Sequence, residues 1–372
     1  MDRDSVDSEE SRRLWQEDPG SLDRLERWWR RHQPWLTAAG YQLRPRYILG
    51  RELSWKKAGT KKPFEEFEDG QRNWLRGVMD ATRISDGAFV ILKRISLNVV
   101  SEELEINKFF SSEPLASDPR NHCAAASEHL IVPEDETEVI LVMPLLCPFD
   151  DPPFESFGEV VSLFTQLFEG VQFMHEHHVA HRDCTELNVM MDASGMYRHP
   201  YHPQMRQRRR DWKGKAKYHS RTLRPPRYYL IDFGLSRQYD PAKGPPLEMP
   251  LHGGDKSPPE HETYETPCNP FFTDVYYLGN LIREVFIEKY EGFEFIKPLV
   301  DDMVQRGPSK RPKMDEVVSR FNDVRTSLSA WKLRSRPVRR KEWKIVRAWN
   351  FCAHVCRTTR YVITRKPAIP DP

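Results

Sequence analysis

Asp183 and Asn188 lie five residues apart in His181-Arg182-Asp183-Cys184-Thr185-Glu186-Leu187-Asn188, and Asp232 follows in Tyr229-Leu230-Ile231-Asp232-Phe233-Gly234. These three side chains are hard oxygen donors. Mg²⁺ binds through one or two carboxylates and takes its remaining ligands from water and phosphate. Two carboxylates and an amide in this order can therefore hold a divalent cation and position a hydroxyl nucleophile beside it. Either short string occurs by chance in many chains; their order, after an amphipathic helix and near a strand end, gives them weight. Other constellations point nowhere. The six cysteines (123, 147, 184, 268, 352, 356) show no C-x-x-C pairing, so neither a zinc site nor a disulfide framework is expected. His175, His177, His178 and His181 have no accompanying cysteine or carboxylate ligand set and read as loop and core histidines.

The elements that must position Asp183, Asn188 and Asp232 are legible around them. Upstream, Val160, Leu163, Phe164, Leu167, Phe168, Val171 and Met174 recur at helical spacing and predict a long, buried helix. The run from Val78 to Lys93 alternates and is β-rich, with Asp86-Gly87 as the turn of a hairpin. Glu102 to Phe110 reads as helix, and Glu138 to Met143 as a strand ended by Pro144. From Asp274 to Trp331 the pattern is mostly helical. Near the N-terminus, Leu22, Leu25, Trp28, Trp29 and Leu36 form one face of a docking helix, with Pro34 and Gly40 as breakers. A small strand-rich front half thus precedes a larger helical back half, an α+β arrangement.

The 372 residues allow two to three domains, and the longest apolar stretch, Val139 to Leu146, is far short of a membrane span. The charged start, MDRDSVDSEESRR, has no apolar signal region, and the cytosol or nucleus is the expected location. The net charge of +2 conceals an asymmetry. Residues 198–227 carry eleven Lys/Arg against Asp211 alone, and residues 332–372 carry twelve against Glu342 and Asp371. The first segment reads as a solvated, mobile loop that attracts acidic partners. In the second, Trp343, Val346, Trp349 or Asn350, and Ala353 form a helical stripe expected to dock on the acidic body, with an anionic membrane as the sharper alternative. Neither carries a specific nucleic-acid motif, and the sequence leaves the oligomeric state open.

From about Tyr47 to Trp331 the chain resembles a eukaryotic protein kinase. His181-Arg182-Asp183 with Asn188 resembles the catalytic loop, and Asp232-Phe233-Gly234 the metal-binding turn. Val90-Ile91-Leu92-Lys93 resembles the third-strand lysine motif, and Ser257-Pro258-Pro259-Glu260 the end of an activation segment. Arg311 resembles the arginine that pairs with that glutamate, and Asp274 opens what resembles the central helix of the large lobe. YQLRPRY, DPRNHC, HGGDKSPPE and DVYYLGNLIRE also resemble a divergent kinase group of filamentous fungi. The resemblance implies a two-lobed kinase-like fold: an N-terminal helical extension (1–45), a small β-rich N-lobe (46–146), a larger helical C-lobe (147–331) bearing the insert 198–227, and a basic tail (332–372).

It also implies roles. Asp183 would accept the proton of a substrate hydroxyl, and Asn188 and Asp232 would hold Mg²⁺, with Mn²⁺ as a substitute. Lys93, steadied by Glu105, would bind ATP phosphates; Glu102 and Glu103 are rivals for that acid. Met143 would be the gatekeeper, Pro144 and Leu146 would read adenine through their backbones, and Met190 would line the nucleotide site. The implied activity is transfer of the ATP γ-phosphate to a protein hydroxyl, serine or threonine ahead of tyrosine, on a substrate of acidic character. The pattern is broken in four places. No G-x-G-x-x-G exists, the equivalent stretch being Gly70 to Val78; Ile91 replaces the adenine-pocket alanine. Thr185 and Gly253 stand where a lysine and its bridging threonine are usual, and Arg182 has no evident phosphate partner, since only Ser236 and Tyr239 lie between Leu235 and Lys256. These departures imply low or atypical activity, with a nucleotide-binding pseudokinase scaffold as the alternative. Small-molecule phosphotransferases share H-x-D-x4-N but lack the Pro-Pro-Glu, the Asp274 helix and the Arg311 partner.

Overall fold

A computed structural model describes residues 20–57, 59, 61–75, 77–124, 126–133, 135–251, 256–262 and 266–372, and for Ser101 the backbone alone. The chain is mixed α+β and divides into two units. The first takes in the described residues up to Val99, with Ala126–Leu145 and Tyr197–Tyr218; the second takes in Val100–Ala125, Leu146–Met196 and His219–Pro372.

The first unit is built on an antiparallel sheet of five strands: β1 (Tyr41–Leu43), β2 (Val78–Arg83), β3 (Phe89–Ser96), β4 (Glu128–Val132) and β5 (Asp135–Pro144), in the order β1-β2-β3-β5-β4. The predicted hairpin is β2–β3, and Gly87 adopts the positive φ (75°) that its turn requires. Alternation sends Met79, Ala81, Val90, Leu92, Ile140 and Val142 to one face, where they form a core with Leu22, Trp29 and Leu36. Trp29 and Leu36 come from the N-terminal helix Arg24–Ala38, started by a reciprocal cap between Asp23 and Glu26, and Leu22 comes from just before that cap. Pro34 was expected to break this helix and does not. Burial of Trp29 and Leu36 on either side of it outweighs the one backbone bond it removes. Residues 20–43 are therefore part of the first unit: the helix covers the sheet and strand β1 pairs with β2.

Between β1 and β2 the chain makes an excursion of short 3-10 turns, tied down by a buried ion pair. Arg46 grips Glu26 with two bonds of 2.8 and 2.9 Å, and Tyr47 and the Asn73 N–H donate to the same carboxylate. Burial pushes the Glu26 carboxyl up, but the Arg46 guanidinium outweighs it and holds the group below its ordinary range. Gly70 belongs to this packing, since a Cβ there would lie 1.8 Å from the Phe64 carbonyl oxygen.

The basic insert is not a mobile loop. Tyr201–His202 pairs antiparallel with Met205–Arg209, and this hairpin is bound to its own unit by specific contacts. Arg210 reaches the buried carboxylate of Asp80 at 3.0 Å, which Arg44 holds from another side at 2.9 Å, and Arg210 also stacks over Phe89. His202 meets Glu68 at 3.3 Å, Gln204 donates to Asn73, and the Trp212 indole donates to the Glu66 carbonyl. A buried acid on β2 and open carbonyls in the excursion supply partners that a count of net charge does not reveal. The end of the insert belongs to the second unit, where Arg221 is buried against the Phe149 and Pro153 carbonyls and the Tyr228 hydroxyl.

In the second unit the predicted long helix runs Phe157–Glu176, and all seven of its predicted core positions are buried. Ser156 caps it, and Phe164 and Phe168 pack on Phe321 of the helix Met314–Ser327. Gln166 of the same helix accepts from the Tyr228 N–H, fixing the strand Arg227–Leu230. That strand pairs with Val189–Asp192, which pairs in turn with Cys147–Pro148. The helix Pro270–Ile282 carries Asp274, fully buried. Glu260 and Arg311 form the expected buried pair, joined by two bonds of 2.7 Å, and Thr273 donates to the same carboxylate.

The tail folds as a helix, Lys344–Ile363, turned so that the side beside the expected stripe faces inward; of that stripe only Asn350 is half-buried. Trp343, Val346, Trp349 and Ala353 are exposed, whereas His354 and Tyr361 are buried. Polar contacts fix this rotation: Tyr361 shares a hydrogen bond of 2.6 Å with Ser220, and Arg357 meets Glu155 at 2.9 Å. Beyond the helix the chain lies so close to Gly158 that a Cβ there would sit 1.8 Å from the Ala368 carbonyl oxygen.

Candidate functional site

The loop bearing Asp183 is held by two side chains that themselves touch no solvent. Asp274 accepts from the His181 N–H at 2.8 Å and from the Arg182 N–H at 2.6 Å, and His175 meets the same carboxylate at 3.0 Å. This clamp fixes Arg182 in a left-handed conformation (φ 68°), a strained backbone for a residue with a side chain. His181, fully buried, bridges two segments: its ring lies 3.1 Å from the Ile231 carbonyl oxygen and accepts from the Asp183 N–H. It packs edge-on to Phe233.

Within this frame two of the oxygen donors meet. The Asn188 amide donates to the Asp183 carboxylate at 2.8 Å and to the Asp183 carbonyl at 2.9 Å. The Ile231 N–H donates to the Asn188 carbonyl, which sets Asp232 at the end of the neighbouring strand. Asp232 is itself left-handed (φ 65°), and its carboxylate accepts from the Gly234 N–H. Among the described residues no group of three or more His, Cys, Asp or Glu is disposed to hold a metal ion. Asn188 and Asp232 suit Mg²⁺ all the same, because that ion needs few protein oxygens when phosphate supplies others.

A third carboxylate belongs here, and it is not the one the sequence nominated. In the helix Leu97–Ser111, Glu105 is exposed and pairs with Lys108 at 3.1 Å. Glu103 is buried, and its carboxylate oxygen lies 3.4 Å from where a Gly234 Cβ would stand, as the Asp232 oxygen does at 3.2 Å. The helix phase contains the signal. Glu103, Ile106, Asn107 and Phe110 are the buried stripe at i, i+3, i+4, i+7, which leaves Glu105 and Lys108 outside.

Glu248 was missed altogether. Its two oxygens take Arg182 and Arg237, each at 2.7 Å, and its backbone exchanges two hydrogen bonds with Cys268. Arg182 thus has an acidic partner encoded in the chain. No motif surrounds Glu248, and only the fold brings it to Arg182. Ser236 is buried and donates to the His181 carbonyl, while burial raises the Tyr239 phenol above its ordinary range. Burial also raises the Cys184 thiol, further opposed to ionisation by Asp274. Gly253 lies outside the described residues. Met190 sits half-buried opposite Tyr229 and Pro148, and Leu146 opens the second segment of this unit.

The remaining sequence-derived positions are in the first unit. Lys93 is on β3 opposite Val78 and Leu141, on the face of the sheet away from the N-terminal helix, with Ile91 two residues before it. Ile91 lies opposite both Asp80 and Met143, and Met143 is buried. Pro144 ends β5 opposite Val90, and the next N–H, of Leu145, donates to the Phe89 carbonyl. The structure brings Asp183, Asn188, Asp232 and Glu103 together in one unit, and Lys93, Ile91, Met143 and Pro144 in the other. No family model and no curated protein matches the chain.

Proposed function

We propose that the chain is an ATP-dependent protein phosphotransferase of the kinase type, transferring the γ-phosphate to a serine or threonine hydroxyl of a protein substrate. The observation that carries this reading is the Asp183–Asn188 hydrogen bond, at 2.8 Å, on a loop clamped by Asp274 and His181 beside Asp232. A general base must be oriented before its basicity is useful, and the Asn188 amide orients the Asp183 carboxylate without protonating it. Asp183 then accepts the hydroxyl proton as the oxygen attacks phosphorus, and the γ-phosphoryl group leaves ADP for the substrate oxygen. Asn188 and Asp232 would hold Mg²⁺, which neutralises phosphate charge when bound. Lys93 would supply the fixed cation for the nonterminal phosphates. Glu103, the buried carboxylate beside the Asp232 turn, and not the exposed Glu105, is the acid that belongs with Asp232 in this unit.

Glu248 supports a particular mode of control. In the kinase reading Arg182 would need an anionic partner to order the segment after Asp232, and a carboxylate serves at every moment, so no phosphorylation is required. Rate is expected to be low, because Thr185 supplies no cation to the transferring group. Losing one such preorganised donor costs about 3 kcal/mol, or roughly a hundredfold.

One observation favours the second reading, a nucleotide-binding pseudokinase scaffold. Arg210 of the insert lies on Phe89 and Asp80, on the same sheet face as Ile91 and Lys93, where bulk crowds an adenine ring. The test separates the two. Purified protein with labelled ATP, Mg²⁺ or Mn²⁺ and a generic protein substrate should transfer label, and Asp183→Asn should abolish transfer while keeping the rise in melting temperature that MgATP produces. A rise without transfer in the unaltered protein selects the scaffold; neither signal at millimolar MgATP refutes both.

A further inference from the structure

The tail helix Lys344–Ile363 presents its apolar residues to solvent. Ile345, Trp349, Cys352, Cys356 and Ile363 follow the spacing i, i+4, i+7, i+11, i+18, which is one stripe of an α-helix, and all five are exposed. Ile345 is 84% exposed, Trp349 76% and Ile363 75%, and Val355 on the flank of the stripe is exposed as well. Trp343 and Trp331, next in the chain toward the N-terminus, are 83% and 86% exposed. The opposite side of the helix is polar and is the side held down, through Asn350 to Glu342, Arg357 to Glu155 and Tyr361 to Ser220. A helix free to choose by hydrophobicity alone would bury Trp349 and expose Asn350. Here polar anchors have fixed the reverse, which turns the indole and the aliphatic residues outward.

The charges around the stripe select what covers it. From Trp343 to Pro370 the sequence holds no acidic residue, while Arg339, Arg340, Lys341, Lys344, Arg360, Arg365 and Lys366 surround the helix. A second copy of the chain docking through this face would set these cations against their own kind. An anionic lipid surface satisfies both features at once: aromatic and aliphatic side chains enter the headgroup boundary, and Lys and Arg meet lipid phosphates and carboxylates. At 1.5 Å per residue the 20-residue helix is about 30 Å long, but no helix of the described residues is apolar enough to cross a membrane, so it would lie in the plane of the interface.

We propose that the tail helix, through Ile345, Trp349, Cys352, Cys356 and Ile363, docks the protein on an anionic lipid bilayer. This inference is independent of phosphotransfer. The full chain is sedimented with vesicles of phosphatidylcholine containing 30% phosphatidylserine, with pure phosphatidylcholine vesicles, and with no vesicles, while tryptophan emission is recorded. Binding to the anionic vesicles should be at least tenfold tighter than to neutral ones, should weaken at least tenfold in 0.5 M salt, and should shift tryptophan emission to the blue. Trp349→Glu with Ile363→Glu should reduce binding at least tenfold with an unchanged melting temperature, and Lys344→Glu with Arg360→Glu should do so with the apolar stripe intact. Failure to bind anionic vesicles, or equal binding by the Trp349→Glu/Ile363→Glu protein, overturns the proposal. A concentration-dependent dimer that the same pair of substitutions dissociates would overturn it in favour of a second copy of the chain.

Discussion

The insert 198–227 and the tail 332–372 carry the same net charge, yet they fold by opposite rules. In the insert, Arg210 and Arg221 are turned inward, one onto the Asp80 carboxylate and the other onto backbone carbonyls. In the tail the inward side is also polar, but the apolar residues are left in solvent. Composition distinguishes the two only weakly. What decides is whether a buried acceptor already waits for the cation: β2 offers Asp80, whereas the surface under the tail offers Glu155, Ser220 and a close approach to Gly158.

The largest effect expected from breaking this comparison is at Asp80. Burial pushes its carboxyl up, and Arg44 and Arg210 outweigh that and hold it below its ordinary range. Asp80→Ala leaves two buried guanidiniums facing each other, and removing one partner of a buried pair costs about 3–5 kcal/mol. Denaturant unfolding should show that loss, with a smaller one for Arg210→Ala because Arg44 keeps its partner. Stability from Asp80 is present above its unfolded value and is lost as pH falls through the lower folded one, so the difference between Asp80→Ala and the unaltered protein should shrink in acid. Deleting residues 200–224 is expected to unfold the protein, since it removes both Arg210 and Arg221.

Under the tail, Glu155 is pushed up to about 7 by burial and by the neighbouring Glu159, against the opposing pull of Arg357. A carboxyl whose folded value is raised contributes stability fully present below its unfolded value, and that contribution fades as pH rises through about 7. The effect is about 3 kcal/mol at the upper limit between pH 4.5 and 8. Glu155→Gln should therefore flatten the fall in melting temperature across that range. A fall of equal steepness in the variant would show that the Arg357 pair neutralises the site.

Glu248 extends the rule of the insert to the candidate site, since it too is a carboxylate that gathers cations, here Arg182 and Arg237. Removing it loses charge-assisted bonds worth about 1.5 kcal/mol where they order the loop, or about tenfold in rate. Glu248→Ala should lower phosphotransfer by about that factor while leaving the melting-temperature rise with MgATP unchanged. Glu248→Gln, which keeps one acceptor oxygen, should fall between.

Periodicity made the interior of the molecule legible and charge counting obscured its surface. The helix Phe157–Glu176 and the β2–β3 hairpin are where residue spacing put them, because large apolar residues have few other places to go, and the Glu260–Arg311 pair is where the resemblance implied it. The short strings bearing Asp183, Asn188 and Asp232 fall in one unit, tied together through Asp274 and His181. Glu103 is legible in principle from the helix phase, whereas the resemblance alone points to Glu105 with Glu102 and Glu103 as rivals. Glu248 and Asp80 were not legible, because each acquires meaning only from an arginine brought to it by the fold, from 66 and 130 residues away respectively. The tail helix does lie on the protein, but through Arg357, Tyr361 and Asn350 and not through an apolar stripe, because polar partners wait beneath it.

The smallest expected effect sharpens the comparison most. If the outward stripe of the tail contributes nothing to folding, replacing it should be nearly silent, as substitutions at exposed positions usually lie within about 0.5 kcal/mol. Trp349→Glu and Ile363→Glu change side chains that are 76% and 75% exposed, on the side of the helix away from His354 and Tyr361. Their melting temperature should match that of the unaltered protein. Tyr361→Phe, on the inward side, removes the hydroxyl that meets Ser220 at 2.6 Å and should lower stability by about 1 kcal/mol. A hydroxyl would then matter more to folding than an indole and a sec-butyl group together, which is the inversion that distinguishes a surface kept for a partner from one packed as core. If Trp349→Glu instead destabilises by more than Tyr361→Phe, the stripe belongs to the fold after all, and the helix must rotate in solution to bury it.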